Sequence, residues 1–92
     1  MQTIARSHNA SEAWYAQVPL SMASRIVDGH WSDADPTTPT WVVIMHGNLG
    51  GGGSSEPIHW AAVALDPRGN YERQTTDRID TFGAKLMPLS LQ

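Results

Sequence analysis

The chain has 92 residues, 40% apolar and 16% charged, with a formal net charge of −3 and no cysteine. One small domain is expected, burying roughly 60–65% of its unfolded surface. Without Cys there is no disulfide, thiolate nucleophile or Cys-based zinc site, and the scattered Arg6, Arg25, Arg68, Arg73, Arg78 and Lys85 form no stripe that would track a nucleic-acid backbone.

Asn9-Ala-Ser-Glu12 reads as a capping box, an Asn acceptor with Glu three residues on. It predicts a helix over about 10–18, with Trp14 and Val18 on one face and Pro19 at its end. A second short helix is predicted over 21–28. Met22 and Ile26 line its stripe, and Gly29 is the expected left-handed residue after it. Residues 30–39 read as a loop by composition.

Thr40-Trp-Val-Val-Ile-Met-His46 and Ile58-His-Trp-Ala-Ala-Val-Ala-Leu-Asp66 read as strands. They flank Gly47-Asn-Leu-Gly-Gly-Gly-Gly-Ser-Ser-Glu-Pro57, so an antiparallel hairpin with a long loop is expected. The Gly-Gly-Gly-Gly-Ser-Ser stretch resembles a flexible linker. Asp66-Pro-Arg-Gly69 is turn chemistry and predicts a return strand over 71–77. Its polar alternation suits an edge. The segment from Phe82 to Leu91 is expected to add a fourth strand, confined to an edge by Pro88. The expected fold is α+β: two short N-terminal helices on a small antiparallel β-meander of three to four strands.

Symmetric pairing of the hairpin would set His46 opposite His59, Ile44 opposite Ala61 and Val42 opposite Val63. Both faces would then be apolar, with Trp41 and Trp60 together on the face away from the helices. So short a chain has little left to cover that face, which points to a protein partner or a homo-oligomer. The low charged share agrees, against about 25% in an ordinary soluble domain. The expected interaction residues are Trp41, Trp60, Asn48, Leu49, Gly50 and Gly51.

Chemistry is hinted at only by His46 and His59. They could give two imidazoles to a metal, with a third ligand from His30, Asp28, Asp33 or Glu56. No local ligand pairing such as HExxH accompanies them. The tract from Gly47 to Gly53 lacks both the G-x-G-x-x-G and Gly-Lys-Ser/Thr patterns of phosphate loops.

Trp41-Val-Val-Ile-Met-His-Gly47 resembles the strand and His-Gly segment that helps build the oxyanion hole of α/β-hydrolases. Ala64-Leu-Asp-Pro-Arg-Gly69 resembles that family's next strand. The resemblance covers about thirty residues, and the sequence departs from the family in having no G-x-S-x-G elbow. No catalytic serine, acid or histidine carries over to any position. Ile58-His-Trp60 is similar to the His-Trp strand of papain-like and deubiquitinase-like cysteine proteases, but the nucleophile is missing.

The favoured function is therefore non-catalytic. It is a protein-binding or assembly subunit, such as a virion or complex accessory protein or an inhibitor presenting the Gly-rich loop. The alternative is a small metal-binding or hydrolase-like protein centred on His46 and His59. No cofactor is expected. No apolar run nears the roughly 20 residues of a membrane helix, and the N-terminus shows no signal-peptide core. The expected setting is the cytoplasm or an assembled particle, with neither membrane nor nucleic acid as partner.

Overall fold

A computed structural model describes residues 2–7, 9–31, 34–49 and 58–90. The elements in chain order are α1 (Gln2–Ser7), β1 (Glu12–Pro19), α2 (Leu20–Val27), β2 (Pro39–His46), β3 (Trp60–Leu65), β4 (Tyr71–Thr75) and β5 (Met87–Pro88). The strands form one antiparallel sheet in the order β4-β3-β2-β1-β5. The architecture is α+β, with five strands rather than three or four.

The fifth strand comes from a segment expected to be helical. Residues 12–19 are β1, beside β2 on one side and β5 on the other. Trp14 and Val18 do share a face, but spacing of four residues satisfies period 2 as well as period 3.6. Ala16, midway between them, is buried in the same cluster. Trp, Tyr and Val favour the pleated surface, and tertiary pairing decides the outcome.

Asn9 likewise caps the other end of a helix. It takes a left-handed φ of 59°. Its N–H donates to the Arg6 carbonyl (3.0 Å), and the Ala10 N–H donates to the Ala5 carbonyl (3.1 Å). These are the two bonds of a Schellman stop to α1. α2 forms where the sequence predicts a helix, but its left-handed residue is Asp28, φ 53°, not Gly29. Asn and Asp tolerate that region best among residues with a side chain.

Gly29 is needed for a different reason. A Cβ there would lie 2.6 Å from the Tyr71 ring. The backbone after α2 thus lies directly against the first residue of β4. Trp31 continues the contact, its ring edge-on to Tyr71 at 4.5 Å and its indole N–H donating to the Gly69 carbonyl (3.1 Å). The Tyr71 hydroxyl donates to the His30 carbonyl.

The hairpin of β2 and β3 is antiparallel as expected, but its register differs by one residue. His46 stands opposite Trp60, Met45 opposite Ala61, Ile44 opposite Ala62, Val43 opposite Val63 and Val42 opposite Ala64. A one-residue slip reassigns which side chains share a face. Each face consequently carries its own core. Ala16, Val18, Val42, Ile44, Ala62 and Ala64 pack under Ala23, Ile26 and Val27 of α2 and under Ile79. Ala13, Val43, Met45, Ala61 and Val63 pack with Ala5 of α1 and with Leu49 and Leu89. The expectation of one face left wholly bare is therefore corrected, because the chain's own termini cover part of it.

Both edge strands carry features that discourage strand addition. β4 holds Glu72 and Arg73 within five residues, and β5 is two residues long and contains Pro88.

Candidate functional site: two aromatic surfaces on opposite faces

Trp41 and Trp60 do not share a face. Trp60 pairs with His46 and packs against the α2-side core, whereas Trp41 lies on the α1 side, opposite Gln17 and Leu65. The expected joint Trp41–Trp60 surface divides into two.

The first surface lies on the α1 side, toward Pro19 and Pro39. α1 and Leu49 cover Met45 and Ala61 but leave Trp41 40% exposed. The half-buried Tyr15 lies against it, with ring centroids 5.9 Å apart and planes tilted by 50°. Tyr15 is opposite Met87 on β5, and Met87 is 47% exposed. Met87, Tyr15, Trp41 and Leu65 thus form an uncharged stripe across β5, β1, β2 and β3. Sequence reading missed Tyr15 and Met87. The alternation of β1, once recognised as a strand, would have placed Tyr15 on this face.

The second surface is on the α2 side. Trp14 and Trp60 stack at 6.2 Å with 17° between their planes. The His46 ring lies 4.3 Å from Trp60, and its Nδ1 is 3.9 Å from Glu12 Oε1. A cavity of about 250 Å³ opens between Trp14, Ile44 and Trp60 on the sheet and Arg78, Ile79, Thr81 and Leu86 in the segment crossing it. That segment turns at Phe82 and Gly83, with φ of 51° and 81°. Its turn is closed by the Ala84 N–H donating to the Thr81 carbonyl (3.0 Å), and Arg25 of α2 sits 4.3 Å over the Phe82 ring.

The register also separates the two histidines. His46 faces the α2 side opposite Trp60, and His59 lies one residue before β3 and is exposed. Among the described residues no group of three or more His, Asp or Glu is placed to hold a metal. The expected His46–His59 pairing is corrected to a His46–Trp60 pairing.

The other expected interaction residues lie at the loop base. Asn48 is exposed, and its carbonyl accepts a 3.4 Å bond from the Asn9 side chain. Leu49 is half-buried, packs on the α1-side core, and its N–H donates to the Ile58 carbonyl (3.0 Å). Gly50 and Gly51 lie outside the described residues.

A charged clamp closes the β3–β4 turn. Arg68 donates from Nε and Nη2 to the two Asp66 carboxylate oxygens, each at 2.8 Å, and its N–H donates to Oδ1 at the same distance. These bonds, led by the Arg68 side chain, hold the Asp66 carboxyl down at about 2. The same carboxylate raises the Arg68 guanidinium above its ordinary value.

Comparison with protein-family models, curated proteins and solved structures found no match to this chain. Among the described residues, no helix is long and apolar enough to cross a membrane.

Proposed function

We propose that this protein is a small non-catalytic binding module that docks onto another protein surface through the stripe of Met87, Tyr15, Trp41 and Leu65. The observation that carries the reading is Trp41, an indole 40% exposed on the central strand β2, whose same-face neighbours Val43 and Met45 are fully buried. Trp and Tyr are the side chains that most often anchor interfaces. Covering Trp41 and Met87 would contribute about 2–3 kcal/mol each as an upper bound.

A second copy of the chain is the partner that this chemistry fits first. The stripe holds no formal charge, so two copies can meet about a two-fold axis without like-charge repulsion at the centre. Face-to-face packing also suits the edges, where β4 is charged and β5 is short. An accessory or assembly role for such a module follows from docking alone. A metal-binding or hydrolase-like role centred on His46 and His59 has less support, because the register sets His46 opposite Trp60 rather than His59.

Sedimentation velocity over a concentration series tests the reading. The wild-type protein should form dimers with rising concentration and Trp41→Ser should not, with its melting temperature little changed. A wild-type protein that stays monomeric throughout would reject self-association. Equal dimerisation by wild type and variant would reject the stripe as the docking surface.

A further inference from the structure

We propose that the cavity between the Trp14–Trp60 pair and the crossing segment is a binding site for a small aromatic carboxylate. This inference is independent of the docking stripe, since the two lie on opposite faces of the sheet. The cleft opens beside a core cluster and measures about 250 Å³. It falls just short of the roughly 300 Å³ at which pockets for drug-sized ligands begin. That size suits a single-ring molecule.

The chemistry of the walls fits the same class. Two indoles stacked within 17° of parallel offer flat, polarisable surface, and Ile44 and Leu86 add aliphatic contact. A ring entering there gains aromatic packing of about 0.5–1.5 kcal/mol beyond its buried area. At the mouth stands Arg78, which is exposed. No hydrogen bond or ion pair joins it to another of the described residues. A planar guanidinium accepts a carboxylate through two parallel bonds. Thr81 is a neutral polar residue of the same lining. Glu12 lies on the far side of His46, 3.9 Å from its Nδ1. Two carboxylates lie near the cleft: Glu12 faces the His46 imidazole, and Asp80, beside Arg78, accepts the Phe82 N–H at 2.8 Å, while Arg78 is the cation among the lining residues.

The test uses 3-phenylpropionate and its neutral amide as probes, with the indole N–H signals of Trp14 and Trp60 followed by NMR and affinity measured by calorimetry. The acid should shift both signals and bind more tightly than the amide. Arg78→Gln should weaken the acid by about tenfold, the worth of one charge-assisted contact, and leave the amide unchanged. Arg78→Lys should fall between. Thr81→Met, which pushes a side chain into the opening, should reduce binding of both. Failure of the acid to shift either indole signal would overturn the site. Equal binding of acid and amide, or an acid affinity indifferent to Arg78→Gln, would overturn the assignment of a carboxylate.

Discussion

His46 and Trp60 face each other across β2 and β3, with ring centroids 4.3 Å apart. That contact reports the hairpin's register, and the register decides which tryptophan belongs to which face. Trp60 joins the Trp14 stack, and Trp41 is left on the opposite side.

The two tryptophans should therefore respond differently to the same substitution. Trp60→Ser removes a packed ring and should destabilise folding by about 2–4 kcal/mol, since large-to-small changes in aromatic cores cost roughly 3–5 and this ring is only partly buried. Trp41→Ser should cost about 1 kcal/mol or less in folding and act on association instead. Urea unfolding of the two variants, read beside sedimentation, distinguishes these effects. Equal losses of stability would contradict their placement.

Gly29→Ala should destabilise the chain although glycine-to-alanine changes often do the opposite. The added methyl would meet Tyr71 at 2.6 Å, and overpacking of this kind costs about 1–3 kcal/mol. Adding Tyr71→Ala should relieve the clash. A double-mutant cycle measured by denaturant unfolding should show strong non-additivity.

The Asp66–Arg68 clamp makes a pH dependence of defined sign. The folded carboxyl is held at about 2, against 3.8 for the ordinary group. A depressed carboxyl favours the folded state above its unfolded value. That contribution is lost as the pH falls from about 3.8 toward 2. Asp66→Asn should lower stability at neutral pH and flatten the slope across that acid window. Denaturant midpoints collected from pH 2 to 6 (roughly the span in which carboxyls titrate) measure it. A slope unchanged in the variant would remove Asp66 as its source.

Much of the sheet was legible in the sequence. β2 and β3 announce themselves by long β-rich runs, the turn at Asp66-Pro-Arg-Gly69 by its chemistry, and β4 and β5 by features that suit edges. α2 was visible in its Met22 and Ile26 stripe. β1 was not, because Trp14 and Val18 fit both periods and Asn9 fits both the start and the stop of a helix. The site depended on the register, and no local signal fixes it when both strands are apolar on both faces. The cavity brings Trp14 and Trp60 together with Arg78 and Leu86, residues distant in sequence. Only the folded chain shows that juxtaposition.

β1 to β4 follow one another in the sheet as they do in the chain, and β5 departs from that order by returning to β1. Closing so long a span costs chain entropy, set against two residue pairs, the Leu89 N–H donating to the Ala13 carbonyl at 2.9 Å and the packing of Leu89 on the α1-side core. In kinetic terms, this topology predicts that β5 docks late, after the barrier is crossed. Leu89→Ala should thus speed unfolding while leaving the refolding rate nearly as it was. Stopped-flow measurement of both limbs would show it, and a slowed refolding limb would place β5 in the nucleus instead. The last strand then governs how long the folded chain persists rather than how fast it forms.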